Sequence, residues 1–205
     1  MTGLETALPP LAGHARLLQS LRNATSSRHR ALDRRLGLID PDVLTLDRYR
    51  RFVRATSAVV LPLEPPLAAE LGYVFVARSA GERAVRLLQN LAALEAEPAP
   101  PAPDVPEITD DADAFGAAYV IQGSHLGGEI IARAVTGGLG LGPEHVSYLR
   151  LHDGKAGGAW FRFIAALEHF GLSATPSEQV RVVRAAEATF DAFAAALDRE
   201  GIPRD

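Results

Sequence analysis

The stretch Tyr119-Val120-Ile121-Gln122-Gly123-Ser124-His125-Leu126-Gly127-Gly128-Glu129-Ile130-Ile131-Ala132-Arg133 has the apolar spacing of a helix and yet carries three glycines. An interior glycine weakens a helix by about 0.5–1 kcal/mol relative to alanine, so three in such close succession call for a compensating role. Close approach is the usual one, because a backbone without Cβ can touch another helix or a large flat group. At 100° per residue, Gly116, Tyr119, Gly123, Leu126, Gly127, Ile130 and Ala134 fall within about 60° of one another. One face of this helix is therefore apolar and stripped of side chains.

Working outward, the pattern predicts this helix over 112–135, stopped by Gly137-Gly138, with Asp110, Asp111 and Asp113 placing negative charge at its N-terminus. Further helical patterns run over 159–170 and 178–197, the latter with Thr175 as cap and Pro176 in its first turn. Upstream, Leu18, Leu21, Thr25, Leu32 and Leu36 mark a first helix over about 17–36. Thr45 caps a second, through Tyr49, Phe52, Val53 and Val60, which Pro62, Pro65 and Pro66 are expected to kink or break. A third covers 83–94, followed by a stiff extended loop from Pro98 to Pro103. Only Tyr73-Val74-Phe75-Val76 alternates as a strand would, so the expectation is an all-α domain over 13–205 behind a flexible tail, 1–12.

With 205 residues and a net charge of −4, the chain suits one medium domain and argues against a nucleic-acid partner. No apolar run approaches the roughly 20 residues a membrane-spanning helix needs. No secretory pattern opens the sequence, so a cytoplasmic location is expected. The absence of cysteine excludes disulfides, thiol nucleophiles and cysteine-held zinc or iron–sulfur centres. None of the six histidines lies in an HExxH or His-x3-His arrangement, leaving only a single dispersed ligand for any metal.

His29 is the histidine of interest. On the first helix it projects about 20° from Leu18 and about 60° from Leu32, inside the expected buried stripe. A buried, hydrogen-bonded core histidine and an axial ligand to heme iron are both open on that placement. The glycine face favours the second, since a flat porphyrin between two helices needs one to offer a ligand and the other to come close without side chains. Arg22 projects about 20° from His29 and roughly 10 Å back along the axis, where a cation could meet a propionate. His125 projects to the side away from Gly123 and reads as a packing residue, as does Trp160.

These residues resemble the biliverdin-producing heme oxygenases, in particular the bacterial branch associated with bacteriophytochromes. The carriers are Leu21-Arg22, Ala24-Thr25 and His29; Tyr119-Val120, Gly123-Ser124 and Leu126-Gly127-Gly128; Trp160-Phe161 with Leu167; and Ala186 with Thr189-Phe190. The glycine segment is the specific one, and the others reinforce it by order and spacing. The resemblance implies an all-α fold with heme between a proximal and a distal helix. It makes His29 the proximal iron ligand, Gly123 and Gly127 the distal glycines beside dioxygen, and Gly128 a neighbouring hinge. Arg22, Arg162 and Tyr119 fall near the propionates. Ser124 stands where animal members carry an aspartate that organises a proton-delivering water, and its hydroxyl can still orient one.

The reaction so implied uses heme as cofactor and substrate and opens it with dioxygen to biliverdin IXα, carbon monoxide and ferrous iron. Electrons would come from an external donor such as ferredoxin with its reductase, since no flavin or iron–sulfur motif is present. A bacteriophytochrome would be the natural recipient of the bilin. Two alternatives stand beside this expectation: a heme or bilin carrier without turnover, and a thiaminase II-like enzyme on a related helical scaffold.

Overall fold

The computed structural model describes residues 16–72, 74, 81–150 and 156–204. The expected tail over 1–12 and most of Tyr73-Val74-Phe75-Val76 lie outside these. The described residues form six α-helices and no strand: α1 Arg16–Leu36, α2 Leu46–Leu71, α3 Glu82–Ala93, α4 Asp111–Leu139, α5 Ala156–Ser173 and α6 Pro176–Arg199, with a short 3-10 turn at Pro143–His145. None of the helices is long and apolar enough to cross a membrane.

Local chemistry sets most of the helix ends. Thr45 accepts a hydrogen bond from the Arg48 amide at the start of α2, and Asp110 accepts from the Ala112 and Asp113 amides at the start of α4. Thr175 and Glu178 form a reciprocal capping box on α6, with Pro176 in its first turn. Two ends differ from expectation. α4 continues through Gly137 and Gly138 and stops at Gly140, whose φ of 67° is the left-handed conformation that ends helices. Pro62, Pro65 and Pro66 do not break α2, which runs on to Leu71. Pro62 cannot donate to the Ala58 carbonyl, but the Ala102 amide does so instead at 2.9 Å. The proline-rich segment is thus a strap across α2, held also by the Ala99 amide on Ser57 Oγ and by Arg199 on the Pro101 carbonyl.

Helix α6 lies centrally, packed on α1, α2 and α4, while α5 packs on α1 and α4. Leu21, Leu63, Phe115, Phe163, Leu167 and Phe190 belong to one apolar cluster; Tyr49, Val53, Leu87, Val135 and Tyr148 belong to a second. Gly116 lets α4 and α6 meet, because a Cβ there would stand 2.2 Å from the Val182 carbonyl oxygen. Helices α1 and α4 thus share α5 and α6 as supports while making little or no contact with each other. That separation positions the candidate site.

Candidate functional site

His29 does not face the core. Its side chain is 57% exposed, and its edge meets the Phe190 ring at a centroid distance of 5.9 Å. The buried stripe of α1 runs through Leu17, Leu21, Thr25 and Arg35, with Arg28 and Leu32 half-buried. His29 sits about 80° round the helix from Leu21, on the flank of that stripe. Two arginines turn inward where apolar residues would be expected. Arg35 donates to the Ala194 and Ile202 carbonyls and pairs with Asp198, and Arg28 pairs with Glu187 and Asp191. Their inward turn displaces the stripe away from His29.

Exposure leaves the imidazole available to a ligand, and a neighbour fixes its tautomer. His29 Nδ1 lies 2.9 Å from Asp33 Oδ2, one turn along the helix. An Nδ1–H donated to that carboxylate leaves the Nε2 lone pair unengaged, the arrangement that orients metal-ligating histidines. The Asp33 hydrogen bond raises the His29 pKa above its ordinary value of 6.5, with partial burial opposing it. Sequence reasoning missed Asp33, although the His-x3-Asp spacing on a helix face is a legible signal.

The glycines of α4 divide into two kinds. Gly116 and Gly128 serve packing: a Cβ at Gly128 would stand 2.4 Å from the Leu149 carbonyl oxygen, so this residue is seated against backbone and does not line an open face. Gly127 has nothing within 4 Å of the position a Cβ would take. A Cβ at Gly123 would meet only the Trp160 ring, at 3.7 Å, in ordinary contact. Around these two, Leu126 and Ile130 are 44% and 56% exposed, unusual for large apolar side chains on a helix with so much buried surface. Tyr119 is half-buried against Trp160, ring centroids 5.7 Å apart. Trp160, expected to be a packing residue, does pack on Phe163 and also floors the Gly123 face.

Arg22 on α1 and Arg162 on α5 are both exposed and without an ion-pair partner among the described residues. Both cations are free to meet an anionic ligand. Among the described residues no group of three or more histidine, carboxylate or cysteine side chains could hold a metal ion by itself, which leaves a single-ligand site of the kind heme uses. A bare apolar helix face, an oriented imidazole on a neighbouring helix and two free arginines form a donor set that fits heme.

Ser124 is exposed, and its hydroxyl donates to the Ile121 carbonyl at 2.8 Å. It also shares a side-chain hydrogen bond with Tyr148. Burial drives the Tyr148 phenol well above the ordinary tyrosine range, so it stays protonated at neutral pH; Arg83 and Ser124 act against that shift and Glu64 with it. Glu64 and Arg83 form an ion pair at 2.8 Å with almost no exposure, Glu64 also accepting from the Gly81 amide. His125 is buried with its ring 5.1 Å from that of Tyr148, in keeping with the packing role expected for it. None of this polar group behind Ser124 was legible in the sequence, because its members come from α2, α3, α4 and the loop after the 3-10 turn.

No protein-family model matches the chain, and no curated protein matches it. Among solved structures, a heme oxygenase from Neisseria meningitidis, studied in its NO- and CO-bound forms, superimposes with a TM-score of 0.74 at 22% identity, over 92% of this chain and 94% of that one. The chain therefore has the all-α heme oxygenase fold.

Proposed function

We propose that this chain is a heme oxygenase, binding heme between α1 and α4. The observation that carries the proposal is the pairing of His29, its Nδ1 held by Asp33, with an α4 face left bare at Gly127 and lined by exposed Leu126 and Ile130. His29 Nε2 would ligate the iron. Gly123 and Gly127 would lie over the opposite face of the ring, leaving room for dioxygen, and Ser124 would orient a water beside them. Arg22 and Arg162, with Tyr119 beside them, would seat the propionates, while Gly128 keeps α4 docked on Leu149.

Heme, as substrate, supplies the iron at which dioxygen is activated, and its ring is opened to biliverdin, carbon monoxide and ferrous iron. The protein's part is orientation, exclusion of bulk and ordering of a proton-bearing water. Electrons would be delivered by a separate donor such as ferredoxin with its reductase, because the chain has no cysteine for an iron–sulfur cluster. We further propose a single domain over 13–205, a cytoplasmic location, biliverdin IXα as product and a bacteriophytochrome as its recipient. Incubation with hemin, a reducing system and air, with chromatography of the extracted pigment, tests this: biliverdin IXα is expected. Binding without pigment would make the chain a carrier, no binding would favour a thiaminase II-like activity, and a β or δ isomer would mean the ring sits rotated.

The His29–Asp33 pair makes a second prediction, on pH. A protonated imidazole cannot ligate, so heme ligation should be lost as pH falls through the His29 pKa, which Asp33 holds above 6.5. Asp33→Asn should move that midpoint down and weaken ferric heme binding by roughly 10–100-fold, as loss of an outer partner to a metal-bound histidine does. Soret intensity against pH measures both. An unchanged midpoint would detach Asp33 from the ligand.

A further inference from the structure

We propose that Tyr148 is a positioning residue for Ser124: its phenol, fixed in place behind α4, holds the Ser124 hydroxyl at the edge of the Gly123–Gly127 face, where that hydroxyl orders the water serving oxygen chemistry. This rests on the heme oxygenase function proposed above. It assigns to a serine–tyrosine pair the task for which a lone serine is poorly suited, since a hydroxyl on one rotatable bond has no fixed direction of its own.

The geometry supplies the direction. Tyr148 is 5% exposed, and its backbone amide donates to Asn90 Oδ1 at 2.9 Å. Asn90 is anchored in turn by donating to the Glu144 carbonyl and to Ser147 Oγ. The His125 ring packs on the phenol from α4 itself. A phenol that remains protonated must donate, and the partner at hand is Ser124 Oγ. The serine hydrogen is directed to the Ile121 carbonyl, which leaves one lone pair of Oγ to receive a water on the exposed side. Behind the pair, the buried Glu64–Arg83 ion pair contributes two charges whose effects on the phenol oppose one another, so the phenol is held neutral without being driven to ionise. Four segments of chain thus converge on one exposed hydroxyl adjacent to Gly123.

The test uses the hemin-loaded protein and four variants: Tyr148→Phe, Ser124→Ala, the double variant, and Ser124→Thr. Tyr148→Phe keeps the ring and removes only the hydroxyl, and circular dichroism of each variant before loading checks the fold. The expected results are an unchanged hemin dissociation constant in all four and a slower rate of biliverdin formation in Tyr148→Phe and Ser124→Ala. The affinity of the ferric complex for azide, an anion sensitive to the same ordered water, should fall by about two- to tenfold in both, the worth of one hydrogen bond. The double variant should be no worse than Ser124→Ala, and Ser124→Thr should retain both properties. Additive losses in the double variant, or wild-type rate and azide affinity in Tyr148→Phe, would overturn the assignment. If the wild-type chain binds no hemin, the heme oxygenase function itself fails, which is a different outcome from a hemin complex indifferent to Tyr148.

Discussion

His29→Ala is expected to abolish biliverdin formation and to weaken ferric heme binding by more than the roughly 10–100-fold typical of losing an outer partner of a ligand, because the ligand itself is removed. The fold should be untouched. His29 is 57% exposed and its polar partner, Asp33, lies at the surface, so truncation opens no buried cavity and leaves no buried charge unpaired. A helical spectrum and melting temperature close to wild type, together with a lost or shifted Soret band, would be the signature of a ligand. Imidazole added to the variant should restore part of the heme spectrum by occupying the space the side chain leaves. A wild-type ferric spectrum with full turnover would remove His29 from the site.

Gly127→Leu separates function from stability more sharply still. Nothing lies within 4 Å of a Cβ at this position, so the side chain meets no protein atom at its first carbon, and replacing a helical glycine should leave stability unchanged or raise it by about 0.5–1 kcal/mol. The same side chain would fill the space dioxygen needs over the ring, and turnover should fall by roughly 100-fold, as misplacement at a reacting centre does. Its neighbour gives the opposite pattern. At Gly128 a Cβ would collide with the Leu149 carbonyl, so Gly128→Ala should cost roughly 1–3 kcal/mol of stability. Thermal melts beside turnover assays read both. A Gly127→Leu variant with wild-type turnover would mean that its open face is not the oxygen side of the site.

The helices of this fold are legible because their signals are local. The caps at Thr45, Asp110 and Thr175 and the periodicity of Leu17 to Leu36 each lie within a few residues of the structure they specify. The errors come from distance. Nothing near Pro62 announces that the Ala102 amide will satisfy the Ala58 carbonyl, so three prolines read as a break. His29 was set in the core because Leu18 was taken as the centre of the stripe; the carboxylates and carbonyls that draw Arg28 and Arg35 inward lie on α6 and beyond it. The glycine face of α4 was legible as a face, but its partition was not. That Gly116 and Gly128 meet backbone while Gly127 meets open space depends on α6 and on the segment at Leu149.

The most direct measurement is a crystal structure of the protein with hemin. The account predicts the porphyrin between α1 and α4, the iron within bonding distance of His29 Nε2 with Nδ1 still on Asp33, and the Gly123–Gly127 backbone over the other face. Iron ligated by a different residue, or heme seated anywhere other than between these two helices, would contradict it.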